Sequence, residues 1–255
     1  MAKAIVHTQE EIIRIRRAAQ VTAEVRDRIA AAIEPGMSTK QLDQIAGAYI
    51  AETGGTSAFL GYCGFPGNIC ISLNEVVVPG IGNADQIIRE GDVVSIDVGV
   101  RIDGACGDTA RTVAVGEVSA DVKRLLKGTV EALDAGIAAC TPGNRVGHIS
   151  SAVEKCAQRH RLGVVRDYVG HGCGIKLHEP PEIPNFSGWG SGAKLEPGMV
   201  LAIEPMLNLG TWKVITDRSD HWTVRTCDGL YSAHFEHMVL ITENQPEILT
   251  WPKMM

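Results

Sequence analysis

The chain has 255 residues, 45% of them hydrophobic and 21% charged, which is enough for one large domain with a substantial core. Its formal net charge is −6 and it has no basic run, so nucleic acid is not expected as a direct partner. No apolar run reaches the roughly 18 residues of a membrane-spanning helix, and no apolar signal core follows Met1, so we expect a cytoplasmic protein that does not engage a membrane.

The first half of the chain is predicted to form two helices followed by strands. Thr8 and Glu11 have the spacing of a capping box, and the helix that they begin extends over residues 8–33. A second helix is predicted over residues 38–55, where two glycines end it. Strands are predicted at 69–72, 76–78, 93–100 and 109–115, with a turn at 102–107.

The second half repeats this order. Ser119 begins one helix, and another follows Pro142-Gly143 and extends to residue 160. A Pro-rich loop is predicted at 179–184, and strands at 199–203, 212–216, 221–226 and 235–242. The pattern favours an α+β fold in which helices cover one side of an antiparallel sheet. We expect one domain over residues 1–255, with internally duplicated halves at about 8–116 and 117–242.

Two similar segments support the duplication. Residues 90–97 and 197–204 each contain a Gly turn and an apolar strand that ends in a carboxylate, Asp97 or Glu204. The 107 residues between these two acids also separate Pro35-Gly36 from Pro142-Gly143. A carboxylate in a buried strand is costly unless a positive charge meets it. The two acids therefore predict a shared positive partner at the centre of the fold, and a metal site is the simplest one.

Three further residues fit such a site. Asp108 follows Asp97 by eleven residues, so a hairpin can place both carboxylates on one face. Glu236 lies in an apolar stretch and His171 is flanked by glycines, and with Glu204 they complete a set of five. Four carboxylates and an imidazole suit two divalent ions, which can lower the pKa of a bridging water and hold a tetrahedral intermediate. Glu204 is also the best general base.

Each of these residues has a simpler explanation when taken alone. Asp108 could cap a turn, Asp97 could end a strand, and His171 could bond a backbone carbonyl. Together, however, they require four acids placed independently in apolar strands, which the cost of burying charge disfavours. His221, His234 and His237 lie near the same strands, and the sequence assigns none of them a role.

The five residues and their local sequences closely resemble type I methionine aminopeptidases, from the first helix to about Thr242. Supporting motifs are Gly64-Phe65-Pro66-Gly67, the run 72–77, Gly170-His171-Gly172, His178-Glu179 and Phe235-Glu236-His237. The resemblance implies the duplicated pita-bread fold and the short bacterial form. It implies removal of the initiator Met from nascent polypeptides whose second residue is small. It also implies two divalent ions, with cobalt, manganese or iron expected and zinc or nickel as alternatives.

The resemblance further implies roles for individual residues. Asp97 and the bridging pair Asp108 and Glu236 would hold the metals, and His171 and Glu204 would complete one of them. His178 would join Glu204 in catalysis by donating to the scissile region of the substrate. The methionine pocket would be lined by Phe59, Tyr62, Phe65, Cys70, Pro79, Leu177, His178 and Trp222. For the aromatic residues, plain core packing is the alternative. A monomer with transient ribosome contact is expected.

Pro79 departs from the family pattern, because it occupies the place of a histidine near the metals. Proline cannot donate or transfer a proton, whereas general acid–base help contributes about 10²- to 10⁴-fold in rate. Leu177 replaces a frequent aromatic residue and Phe59 is bulky for its position. Three interpretations follow: a weakened but working methionine aminopeptidase, a related metallo-aminopeptidase or dipeptidase with altered specificity, and a metal-binding pseudoenzyme. We favour the first, because the ligand set is complete.

Overall fold

The computed structural model of the protein describes residues 4–188 and 190–251. Four α-helices lie in the described residues. Thr8 and Ser38 each form a full capping box, which confirms the predicted start of the first helix and fixes that of the second. The Ser119 side chain caps the third helix. The helices are α1 Gln9–Ala31, α2 Thr39–Glu52, α3 Ala120–Ala138 and α4 Val146–Arg159.

Fourteen strands lie in the described residues, most of them short. In the first half they are β1 Thr56–Ser57, β2 Cys70–Leu73, β3 Val93–Ile102 and β4 Ala105–Ala114. In the second half they are β5 Gly163–Val164, β6 Gly170–Gly172, β7 Glu179–Ile183, β8 Val200–Ile203, β9 Met206–Asn208, β10 Val214–Thr216, β11 Val224–Thr226, β12 Ser232–His234, β13 His237–Leu240 and β14 Glu247–Ile248.

The strands form four antiparallel sheets within the described residues. In the first half β3 pairs with β1, β2 and β4. The second half contains a five-stranded sheet in the order β14-β13-β8-β6-β7 and a three-stranded sheet in the order β12-β9-β5. A two-stranded ribbon of β10 and β11 completes the set. This α+β arrangement of antiparallel sheets and four helices agrees with the predicted fold class.

The core is built from the apolar faces that the helices turn towards the sheets. Ile12 and Ile15 of α1 are buried against residues that surround the centre of the molecule. Leu125 of α3 and Ile149 of α4 belong to a second cluster, and Leu42 of α2 belongs to a third that includes β3. No helix in the described part of the chain has both the length and the apolar character needed to span a membrane.

The structure corrects four local predictions. The predicted strand at 76–78 is absent, and Val76 forms only an isolated bridge with Arg225. The turn predicted at 102–107 is shorter, because Asp103 and Gly104 both have positive φ and turn the hairpin in two residues. The predicted strand 235–242 is shorter, since only His237–Leu240 forms a strand and Glu236 lies in the break between β12 and β13.

The fourth correction concerns the segment predicted as a Pro-rich loop at 179–184. It forms β7 over Glu179–Ile183 and includes both Pro180 and Pro181. β7 is the last strand of the five-stranded sheet, so its outer side has no strand to receive a backbone N–H. A proline is tolerated at such an edge because no ladder donor is lost there.

Candidate metal centre

A pocket of about 320 Å³ lies where the sheets of the two halves approach each other. The five residues predicted as metal ligands all line it. So do all eight residues predicted for the substrate pocket, namely Phe59, Tyr62, Phe65, Cys70, Pro79, Leu177, His178 and Trp222. The structure therefore brings the complete predicted set together.

The register of the β3–β4 hairpin places the first two acids on one face. Asp97 pairs with Ala110 and Gly99 pairs with Asp108, so the two carboxylates stand two positions apart on the same side. The turn residues at 103 and 104 fix this register. A one-residue slip would move one acid to the opposite face and divide the pair.

The other three residues come from the five-stranded sheet and its approach to β4. Ile203 of β8 pairs with His237 of β13 at the end of the two strands. Glu204 comes directly after Ile203 and Glu236 directly before His237, so both acids lie just beyond this last pair. His171 in β6 pairs with Ala202 of β8, so it faces the same region. The Glu236 N–H donates to the Ala110 carbonyl at 2.9 Å, which joins this sheet to the first hairpin.

The ligand atoms form two groups of three that share Glu236. One group contains Asp97, Asp108 and Glu236, and the other contains His171, Glu204 and Glu236. Within each group the candidate ligand atoms lie within 4.8 Å of one another. His171 Nε2 lies 3.3 Å from Glu204 Oε1 and 3.8 Å from Asp108 Oδ2, so Asp108 also approaches the second group.

The electrostatics of the cluster fit divalent cations. Burial, together with mutual repulsion, raises the pKa of Asp108 and Glu236 well above their ordinary values, and burial also raises that of Glu204. Burial raises the pKa of Asp97 to about 7, although His234 opposes the rise. Asp97 Oδ1, Asp108 Oδ1 and Glu236 Oε1 are buried without a hydrogen-bond partner. Such oxygens are expensive unless a cation meets them.

His171 has the charge state and the ring orientation that a metal ligand needs. Burial, reinforced by nearby His178, lowers its pKa to about 3. Its Nδ1 lies 2.9 Å from the Gly172 carbonyl, so the proton is on Nδ1 and the Nε2 lone pair faces the carboxylates. This backbone contact fixes both the tautomer and the orientation of the ring.

Aromatic side chains form the outer part of the pocket. Phe65 and Trp222 pack edge to face, with ring centroids 5.3 Å apart. Phe59 lies over Gly99, where a Cβ would come within 2.5 Å of the ring. The missing side chain at position 99 thus makes room for the bulky Phe59.

Pro79 lines the pocket, and His178 and His171 are the only histidines among the described residues that do so. The His178 ring is exposed, and its Nδ1 lies 2.8 Å from the Tyr62 hydroxyl. The two histidine rings meet edge to face at 4.2 Å between centroids. Since proline offers no proton to transfer, Pro79 adds no titratable group to this wall of the pocket.

His234 and Tyr168 lie near the site, and neither was chosen from the sequence. His234 is buried, and its Nε2 lies 3.6 Å from Glu204 Oε2 while both ring nitrogens lack a hydrogen-bond partner. Its spacing of two residues from Glu236 was the available signal, but His237 lies nearer still, next to Glu236, so proximity in the chain did not single out His234. Tyr168 also lines the pocket. It lies outside every motif that pointed to the site.

Comparison with known proteins identifies the family. Residues 13–243 match metallopeptidase family M24. Methionine aminopeptidase 1 of Bacillus subtilis is 44% identical over 246 residues, which cover 96% of this chain and 98% of that protein. The crystal structure of methionine aminopeptidase from Rickettsia prowazekii has a TM-score of 0.94 at 39% identity, covering 98% of this chain and 100% of that one.

The chain therefore belongs to metallopeptidase family M24. Within that family it is similar over nearly its whole length to bacterial methionine aminopeptidases, which confirms the resemblance found in the sequence. Prolidase from Pyrococcus furiosus has the same fold, with a TM-score of 0.78 at 24% identity, but the match covers 66% of that chain. Membership of a metallopeptidase family implies divalent metal ions, and the carboxylate cluster fits them.

Proposed function

We propose that this chain is a metal-dependent methionine aminopeptidase that removes the N-terminal Met from nascent polypeptides whose second residue is small. One observation carries the proposal: two ligand groups sharing Glu236 lie at the wall of an aromatic pocket. The high similarity to bacterial methionine aminopeptidases over the whole chain supports the same activity.

Five residues would hold two divalent ions. Asp97, Asp108 and Glu236 would hold one ion, and His171, Glu204 and Glu236 the other, with Asp108 near enough to bridge. When bound, the ions would supply Lewis-acid polarisation of the scissile carbonyl and a lowered pKa for water. Cobalt, manganese and iron are the expected ions, and zinc and nickel are alternatives.

Glu204 and His178 would move the protons. Burial keeps the pKa of Glu204 high, which suits a carboxylate that accepts a proton from the attacking water and holds it for the leaving amine. The contact of Tyr62 with His178 Nδ1 leaves Nε2 to donate to the substrate carbonyl. With Pro79 in place of a second imidazole, His178 would carry this task alone.

The pocket suits a methionine side chain. Phe65 and Trp222 offer ring edges and faces to a thioether, which makes favourable sulfur–aromatic contacts. Phe59 and Leu177 add further apolar surface to the pocket wall. A volume of about 320 Å³ holds one side chain and the reacting peptide bond.

The two alternatives receive less support. The prolidases and an X-Pro aminopeptidase match at 21–24% identity, which carries the fold and no specificity. A pseudoenzyme is disfavoured by the complete ligand set, whose buried charge would be costly to retain without a role. As part of the proposal, the enzyme acts as a monomer in the cytoplasm and contacts the ribosome transiently.

A peptide-release assay across metals tests the proposal. The purified protein is stripped with a chelator, reloaded separately with manganese, cobalt, iron, zinc or nickel, and given Met-Ala-Ser. Leu-Ala-Ser and an Ala-Pro dipeptide serve as specificity controls. We expect free Met with manganese or cobalt and little product from the control peptides. Absence of Met release under every metal, with two ions bound per chain, would overturn the proposal.

A further inference from the structure

The segment that precedes α1 packs against the loop that carries His178. The His7 N–H donates to the Gly198 carbonyl at 2.9 Å, which fixes the segment beside β8. The His7 Nε2 atom lies 3.1 Å from Glu179 Oε2. Both side chains are only 2% exposed, so the contact is shielded from solvent. A buried ionisable pair of this kind needs an explanation.

The other carboxylate oxygen of Glu179 binds the backbone of the loop that carries His178. Its Oε1 accepts hydrogen bonds from the Ile175 N–H at 3.0 Å and the Lys176 N–H at 2.7 Å. Burial alone would raise the pKa of Glu179, but His7 and these two N–H groups outweigh it and lower the pKa. The carboxylate thus stays ionised and joins the N-terminal segment to the loop.

Gly174 allows the imidazole to approach. A Cβ at position 174 would lie 2.8 Å from His7 Nε2 and would displace the ring. The Gly174 carbonyl accepts the Cys106 N–H at 2.7 Å, so the loop is also attached to the start of β4. The loop is therefore held between the first hairpin and the N-terminal segment.

The loop presents two pocket residues, Leu177 and His178. Glu179 follows His178 directly, and the His178 ring itself is exposed. The position of that ring consequently depends on the backbone that Glu179 anchors. We propose that His7 and Glu179 are positioning residues that hold His178 in its productive place, an inference that rests on the proposed function for the role of His178.

Three variants and a control test the proposal. His7→Gln replaces the imidazole with an uncharged amide of similar reach, and His7→Lys places an ammonium against the carboxylate. Glu179→Gln removes the charge and keeps the shape. Arg16→Ala is the matched control, because its ion pair with Glu247 at 2.6 Å ties α1 to β14 away from the loop. Each protein is measured for kcat and KM on Met-Ala-Ser and for amide hydrogen exchange over residues 175–179.

We expect His7→Gln and Glu179→Gln to lower kcat by roughly 10- to 100-fold, the cost of a misplaced catalytic group, with a smaller change in KM. Exchange at Ile175 and Lys176 should accelerate in both variants. His7→Lys should restore most of kcat and of the protection, and Arg16→Ala should leave both unchanged.

Two outcomes overturn the proposal. One is unchanged exchange over residues 175–179 in Glu179→Gln, and the other is faster exchange with kcat unchanged. Failure of His7→Gln to fold leaves the decision to Glu179→Gln. If the wild-type protein releases no Met with any metal, the proposed function fails instead. The exchange experiment then still decides whether the pair anchors the loop.

Discussion

Glu204 combines two tasks that substitution can separate. Its carboxylate lies 3.3 Å from His171 Nε2 in one ligand group. Burial raises its pKa well above that of an ordinary carboxyl group, which suits a residue that accepts a proton. Glu204→Gln keeps an oxygen for a metal but cannot take up a proton. We expect Met release to fall by at least roughly 10²- to 10⁴-fold, while most of the metal measured by mass spectrometry stays bound. The exposed Glu182→Gln is the control, and near-normal release by Glu204→Gln would contradict the role.

Pro79 provides a prediction in the opposite direction. It lines the pocket with His178, so an imidazole at this position would face the substrate. Pro79→His should raise kcat by up to roughly the 10²- to 10⁴-fold of general acid–base help. Pro79→Ala is the control, because it removes the proline ring without adding a titratable group. Equal rates for the two variants would show that the position has no catalytic task in this chain.

The acids of the site could be predicted because burial makes each of them costly in an apolar strand. Their spacing alone did not divide them into two groups of three, because the sharing of Glu236 depends on how the segment between β12 and β13 approaches β4. Only the family resemblance implied that Glu236 bridges. His234 illustrates the limit. Only the structure distinguishes its buried ring, 3.6 Å from Glu204, from the exposed His221.

At the scale of secondary structure, the helices were predicted well and the short strands poorly. Capping residues such as Thr8 and Ser38 act through neighbours in the chain, so sequence alone contains their signal. β7 contains two prolines and owes its conformation to pairing with β6. Pairing with another strand is not visible in the local sequence, whereas two adjacent prolines are typical of a loop. For this reason residues 179–184 were predicted as a loop.

Contacts between β4 and the segment from β12 to β13 support the metal centre. The Thr109 hydroxyl accepts from Arg26 Nη1 at 2.8 Å and donates to the Glu236 carbonyl at 2.8 Å. Thr109→Val would leave the buried Arg26 without this acceptor and release Glu236. We expect the free energy of unfolding to fall by about 1–3 kcal/mol, and metal affinity measured by calorimetry to weaken.

Thr129→Val is the matched control for this prediction. The Thr129 hydroxyl is also buried, but it donates to the Leu125 carbonyl within α3. Its loss should cost less stability and leave metal affinity unchanged. Equal metal affinity in Thr109→Val and the wild-type protein would show that Glu236 is held without this contact.

At the scale of the whole molecule, the site draws on both predicted halves. Asp97 and Asp108 come from the first, and His171, Glu204 and Glu236 come from the second. The repeated carboxylate, Asp97 or Glu204, predicted this meeting point from the sequence, although the half boundaries at 8–116 and 117–242 stay a prediction. The sequence did not predict the contact that joins the two halves here. At this joint the Thr112 hydroxyl donates to the His234 carbonyl and accepts from the His234 N–H.

The concentration of buried acids at this joint makes the stability of the fold depend jointly on pH and metal. Burial raises the pKa of Asp97 to about 7 and raises those of Asp108, Glu204 and Glu236. The metal-free fold therefore binds more protons than the unfolded chain, whose carboxyl groups titrate near about pH 4. Its free energy of unfolding should fall as the pH rises from about 4 through about 7. Bound divalent ions neutralise the same carboxylates and remove this loss.

The difference in Tm between the metal-loaded and chelator-treated protein should accordingly be small near pH 5 and widen towards pH 8. Thermal unfolding followed by circular dichroism, with manganese or with excess chelator at each pH, measures it. Asp108→Asn removes one of the repelling carboxylates, so its metal-free form should lose less stability across the same range. A Tm difference that stayed constant from pH 5 to pH 8 would mean that the four carboxylates do not titrate in the fold, and that their buried oxygens are stabilised by something other than cations.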